Sequence, residues 1–201
     1  RINEKFTELK RKNEKALIAY IMMGFPNEKA TITTVRGLVK GGADIIELGF
    51  PFSDPLADGP VIQNASTVSL EKGTNISKFF NLVKKIRKET DIPLVLMTYT
   101  NILYHRGYEK FISEAKSAGI DGFILPDMSI EESKEYTKSA ENKADTIFLI
   151  SPNTSKTRIE KIAKTSTGFL YLVAVFGTTG VKTSIKNYTL KAIKNVKKQT
   201  K

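Results

Sequence analysis

Three acids lie close together along one short stretch: Glu47 near the end of an apolar run, and Asp54 and Asp58 in the segment just beyond it. In the run Asp44-Ile45-Ile46-Glu47-Leu48-Gly49, a period of two gives Ile45, Glu47 and Gly49 a common direction. If that direction is inward, Glu47 is a carboxylate among apolar neighbours. Desolvation then raises its pKa into the range useful for proton transfer. A structural reading stands beside the catalytic one, with Glu47 paired to a lysine at the strand end. Asp58 is a candidate second carboxylate, or a cap for a helix that begins near Val61, with Pro60 suited to that helix's first turn. Asp54 before Pro55 has a turn explanation as well. Further on, Phe176-Gly177-Thr178-Thr179-Gly180 combines glycines and hydroxyls in a form that can bring N–H groups to an anion. His105 is the only histidine, so no multi-histidine metal site is available, and it reads as part of a polar surface turn.

The elements that must position these residues alternate between short apolar runs and longer amphipathic ones. Six runs read as parallel strands buried on both faces: Leu17 to Met22, Asp44 to Gly49, Pro93 to Thr98, Gly122 to Leu125, Thr146 to Ser151 and Phe169 to Val175. Helical spacing covers Glu28 to Lys40, Val61 to Glu71, Ile76 to Thr90, Tyr108 to Ala118, Ile130 to Glu141, Lys156 to Lys164 and Tyr188 to Lys198, with Asn3 to Asn13 ahead of the first strand. Asn27, Asn75 and Ser155 are expected N-caps, and Gly41, Gly73 and Gly119 expected stops. Six such units with no Gly-x-Gly-x-x-Gly after a strand point to the α/β class, as a (β/α)8 TIM-barrel domain over residues 1–201 with about six βα units present. A closed barrel takes about 250 residues. The sequence is therefore expected to represent part of a longer protein, in keeping with Arg1 in place of an initiator methionine. In such a barrel, residues at the C-terminal strand ends form the site, which is where Glu47 lies.

Composition narrows the function classes. At 201 residues with 40% hydrophobic residues, the chain can bury a substantial core. The absence of cysteine excludes disulfides, thiolate metal sites and cysteine nucleophiles, and a reducing cytoplasm is the simplest setting. No apolar run reaches the roughly 18 residues of a membrane span. The net charge of +11 could suggest nucleic acid, but the lysines are spread among glutamates, as in Glu71-Lys72. Solvated helix faces are the expected reading, with no nucleic-acid or membrane partner. The lysines from Lys191 to Lys201 lie near the end of an expected helix, where the macrodipole favours cations.

The segment Glu47-Leu-Gly-Phe-Pro-Phe-Ser-Asp-Pro-Leu-Ala-Asp-Gly-Pro-Val-Ile-Gln-Asn-Ala65 closely resembles the signature of the tryptophan synthase α-subunit family. The resemblance extends to Gly24-Phe25-Pro26, Met97-Thr98-Tyr99-Thr100-Asn101, Leu125-Pro126-Asp127, Ser151-Pro152-Asn153-Thr154 and Gly177-Thr178-Thr179-Gly180. It implies retro-aldol cleavage of indole-3-glycerol phosphate to indole and glyceraldehyde 3-phosphate, with no metal or organic cofactor in this subunit. Glu47 resembles the general acid/base, and Asp58 the carboxylate that binds the indole N–H. Tyr99 and Tyr171 match positions near the substrate, with Tyr171 placed to touch the Glu47 carboxylate. Thr179 matches the residue that closes the sixth loop on Asp58, and Gly180 a phosphate donor. The implied partner is a pyridoxal-phosphate β-subunit in an α2β2 heterotetramer, contacted near Asp54, Pro55 and the loop after the third strand. Tyr20 and Phe176 depart from the family's usual residues. The family's remaining phosphate donors come from loops after a seventh and an eighth strand. Two alternatives stand beside this: a catalytically silent, association-prone barrel fragment, and a stand-alone lyase that releases free indole.

Overall fold

The computed structural model describes residues 1–55, 58–173 and 187–200. The elements follow in the order α1 (Ile2–Lys12), β1 (Ile18–Met22), α2 (Glu28–Lys40), β2 (Ile45–Gly49), α3 (Pro60–Glu71), α4 (Ile76–Arg87), β3 (Leu94–Met97), α5 (Thr100–Arg106) and α6 (Tyr108–Ala118). There follow β4 (Gly122–Ile124), α7 (Lys134–Ala140), β5 (Asp145–Ile150), α8 (Lys156–Thr165), β6 (Leu170–Leu172) and α9 (Asn187–Gln199). All six strands are parallel and neighbour one another in chain order, β1-β2-β3-β4-β5-β6. None of the helices among the described residues is long and apolar enough to cross a membrane.

Strand alternation divides the apolar residues into two cores. On one face, Ile45, Val95, Ile124 and Ile147 meet Ile18 of β1 and Tyr171 of β6 in a single cluster. The short helix α1 reaches Asp44 ahead of β2, Gly122 of β4 and Phe169 ahead of β6 at once, so the sheet curls around it and this face is the lumen of a partial barrel. On the other face, Leu48, Leu94, Leu96, Phe123 and Phe148 pack against Phe79, Phe80, Phe111 and Tyr136 from the helices. These buried aromatics meet mostly in tilted or edge-on pairs, such as Phe80 and Phe111 at 5.3 Å.

The N-terminal end of the lumen is closed by α1. Ile2, Phe6 and Leu9 recur at helical spacing, Ile2 is fully buried, and Phe6 meets Phe169 at 5.8 Å. Gly122 makes room for this plug, because a Cβ there would lie 2.9 Å from Ile2 Cδ1. Burying Ile2 contributes roughly 1.5–3 kcal/mol.

The expected strands agree with the observed ones to within a residue or two, apart from the sixth, which ends at Leu172. Residues 174–186 lie outside the described part. Asn27, Asn75 and Ser155 cap as expected, their side chains accepting from the N–H groups of Ala30, Lys78 and Arg158. Gly119 ends α6 with a left-handed φ of 111°.

Two expectations are corrected. The helix expected from Ile130 begins at Lys134, because Ser133 Oγ donates to the Ile130 carbonyl and Ser129 Oγ to Glu132, holding the preceding residues as turns. His105 lies not in a turn but in α5, where it is exposed. That seven-residue helix shows too little periodicity to be read locally. It is anchored by Asp127, which accepts from Thr100 across 27 positions of sequence.

Candidate active site

Every parallel strand directs its C-terminal end to the same side of the sheet, and that end of the lumen is polar where the other is apolar. β2 is built from β-branched and apolar residues around the single acid Glu47 and is buried throughout. Its register places Ile18 beside Ile45, Tyr20 beside Glu47, and Glu47 beside Val95. Since Ile45 and Val95 face the lumen, so do Glu47 and Tyr20. The inward direction expected for Glu47 is therefore the observed one, with only 5% of the residue exposed. Among the described residues its carboxylate has neither a lysine partner nor a hydrogen-bond donor, so the ion-pair reading is set aside. Burial, and secondarily the charge of Asp58, push its pKa up to about 7. At neutral pH such a group exists in both protonation states, as acid/base work requires.

Asp58 reaches the site from the loop between β2 and α3. The start of that loop is pinned by Ser66 of α3, whose hydroxyl accepts from the Phe52 N–H and donates to the Phe52 carbonyl, each at 2.8 Å. Its end is held where Gln63 Nε2 donates to the Asp58 carbonyl at 2.8 Å. The helix-cap reading of Asp58 gives way, because Gly59 occupies the cap position, while Pro60 takes the first turn as expected. The Asp58 carboxylate instead accepts a long hydrogen bond from the Tyr99 hydroxyl, at 3.4 Å. Partial burial raises the pKa of Asp58, and the Tyr99 hydrogen bond opposes that rise. The Tyr99 ring lies against Phe52, with centroids 4.9 Å apart.

Tyr171 of β6 belongs to the same lumen cluster, and its hydroxyl pKa is raised by burial and then by the charges of Glu47 and Asp58. It makes no hydrogen bond to Glu47 in this arrangement. Asp54 is exposed at a bend, where Ser53 Oγ donates to its carboxylate at 2.5 Å, in keeping with the turn reading. Pro55 is partly buried. Thr179, Gly180 and Phe176 lie outside the described residues.

The sequence reading did not include Tyr20 in the site. Its hydroxyl pKa is pushed up by burial and then by the charges of Asp58 and Glu47, so the phenol feels both acids. A Cβ on Gly49 would lie 2.1 Å from the Tyr20 hydroxyl oxygen, so Gly49 is the space the phenol occupies. The available signal was parity: Tyr20 has the same alternation phase as Ile18 and Met22, opposite the outward residues. Among the described residues, no group of three or more His, Cys, Asp or Glu side chains could hold a metal ion.

The lumen thus holds a buried acid poised near neutrality, a second acid with a phenol donor, and two further tyrosines. A sequence model of the family described as Tryptophan synthase alpha chain matches residues 6–201. A tryptophan synthase alpha chain from Methanosarcina acetivorans is 47% identical over 198 residues, covering 98% of this chain and 72% of that protein. The structure of tryptophan synthase subunit alpha from Legionella pneumophila superposes with a TM-score of 0.89 at 35% identity, over 100% of this chain and 74% of that one. A chain in the structure of the tryptophan synthase α2β2 complex of Pyrococcus furiosus gives a TM-score of 0.86 at 37% identity, over 92% and 75%. The curled sheet is that of a TIM barrel, and on sequence and fold together the chain belongs to the tryptophan synthase alpha chain family.

Proposed function

We propose that this chain carries out the lyase half-reaction of tryptophan synthesis, splitting indole-3-glycerol phosphate into indole and glyceraldehyde 3-phosphate. The observation that carries the reading is Glu47, a buried acid with a pKa of about 7 at the C-terminal end of a barrel strand. Protonation of the indole ring carbon at the scissile bond makes the ring an electron sink. Loss of the proton from the adjacent side-chain hydroxyl then breaks the carbon–carbon bond. Its electron pair returns to the ring as indole, and the hydroxyl carbon leaves as the aldehyde. Glu47 supplies the ring proton and assists removal of the hydroxyl proton. Asp58 accepts from the indole N–H and stabilises positive charge developing on the ring. Tyr99 and Tyr171 line the substrate, Thr179 closes against Asp58, and Gly180 donates to the phosphate.

The protonated ring serves as the electron sink, so the scheme assigns no cofactor to this subunit. Pyridoxal phosphate belongs to a β-subunit that takes up the indole in an α2β2 assembly. The loop at exposed Asp54 and partly buried Pro55 and the segment after β3 form the contact with it. Indole release from indole-3-glycerol phosphate, with and without β-subunit, tests the reading. Glu47→Gln is expected to lower the rate by about 100-fold or more; an unchanged rate would sink the mechanism. Mutual activation on mixing with β-subunit is the expected outcome, and its absence favours a stand-alone lyase.

A further inference from the structure

We propose that Asp127 is a positioning residue for Asp58, acting through Thr100 and Tyr99 across the C-terminal mouth of the barrel. The inference rests on the reading of Asp58 as a site carboxylate. The turn after β4 is closed by the Met128 N–H donating to the Leu125 carbonyl at 3.1 Å, and Asp127 sits within it. From there the Asp127 carboxylate accepts the Thr100 N–H at 3.0 and 3.1 Å and the Thr100 hydroxyl at 2.9 Å.

This is the first turn of α5, whose cap position is held by Tyr99, a residue with no side-chain cap bond. The acceptor that the helix start lacks locally comes from the neighbouring strand's loop. On the other side of Tyr99, the Thr98 N–H donates to the Ile124 carbonyl of β4 at 3.1 Å. Both neighbours of Tyr99 are therefore tied to β4 and its loop, and the direction of the ring follows. That direction brings the ring against Phe52 and its hydroxyl to Asp58 at 3.4 Å. A 3.4 Å bond is at the limit of useful geometry, so a small turn of the Tyr99 backbone breaks it.

A plain helix-capping role for Asp127 would change stability and leave Asp58 untouched. The discriminating measurement is the titration of the Asp58 carboxyl by 13C NMR in the chain labelled at aspartate, assigned by its disappearance in Asp58→Asn. Among the described residues, the titratable groups coupled to Asp58 are Tyr20 from β1, Glu47 from β2 and Tyr171 from β6 through charge, and Tyr99 from the loop after β3 through its hydrogen bond.

Tyr99→Phe removes the hydroxyl that favours the ionised form, so the Asp58 midpoint rises, with an expected three- to tenfold change in its ionisation constant, an estimate of about the size of one hydrogen bond. Asp127→Ala is expected to move it in the same direction, and the double variant no further than Tyr99→Phe alone. An Asp58 midpoint unmoved by Asp127→Ala, or two effects that add in full, overturns the proposal. Should Asp127→Ala not fold, Thr100→Val and Asp127→Asn weaken the same link and are read in the same way. Turnover does not enter this measurement, so its failure is distinct from failure of the proposed reaction.

Discussion

Two buried acids at opposite ends of the sheet show how one fold treats carboxylates differently. Asp121, just before β4 at the N-terminal end, is 7% exposed, and Glu47, toward the C-terminal end of β2, is 5% exposed. Asp121 accepts from Arg87 Nη2 at 2.8 Å, Arg1 Nη1 at 2.9 Å and the Leu94 N–H at 2.9 Å. Arg87 in turn donates to the carbonyls of Gly119, Thr90 and Ile92, so the pair is enclosed in a saturated network. Glu47 has no such donors among the described residues, and its neighbours are a second acid and tyrosines. Equal burial therefore yields a structural ion pair in one place and a proton-exchanging group in the other. The supply of donors, not depth, makes the difference.

The largest expected effect attacks the structural acid. Asp121→Ala strands the Arg87 guanidinium, which is only 14% exposed, and is expected to cost about 3–5 kcal/mol by urea unfolding. A loss below about 1 kcal/mol would erase the contrast. Glu47 should behave oppositely. Its folded pKa of about 7 lies above the ordinary 4.5, so the folded state holds the proton more tightly. Stability is unpenalised below about pH 4.5, falls as the pH rises from there to about 7, and stays lowered above that. Glu47→Gln is then expected to stabilise the chain by roughly 2 to 4 kcal/mol at pH 8, with the gain shrinking below about 1 kcal/mol at pH 5. Equal effects at both pH values would contradict the assignment.

Next in size, Gly49→Ala drives a methyl into the Tyr20 phenol and is expected to cost about 1–3 kcal/mol in thermal or urea unfolding. Tyr20→Leu in the same background should recover part of that loss, whereas Tyr20→Phe should not, because the ring carbon Cζ is already 2.6 Å from the added Cβ. Full recovery with Phe would show that only the hydroxyl is crowded. The smallest effect is at a helix start: Asn75→Ala removes the cap of α4 and should cost about 1 kcal/mol, with no change in the titration of Glu47.

Much of this arrangement was legible in the chain itself. Strands buried on both faces leave short, uninterrupted apolar runs, and all six could be seen. Period-two alternation put Glu47 on the same face as Ile45, and capping chemistry placed Asn27, Asn75 and Ser155. What escaped were features with no local signature. A tyrosine on an apolar strand reads as core, so Tyr20 was not gathered into the site. Gly49 falls on the same strand face as Glu47, but nothing in its own run shows that it leaves space for a ring from the adjacent strand. Asp58 stood at a position that a cap could also explain, and the structure distinguishes the two by placing Gly59 at the cap and the Asp58 carboxylate against Tyr99, 41 positions away. α5 depends on a carboxylate from another loop, which no window of sequence contains.

The sequence alone determined which residues of each strand share a face and which acid lies at the chemically useful end, because alternation and strand direction are properties of the local backbone. Tertiary structure decided which acid is held in an ion pair and which is left without donors among the described residues. The donors that satisfy Asp121 come from 27, 34 and 120 positions away, and Glu47 is raised first by its burial among other strands and then by the charge of Asp58. Desolvation and pairing depend on what the curled sheet brings together in space, and the order of residues along the chain does not contain that.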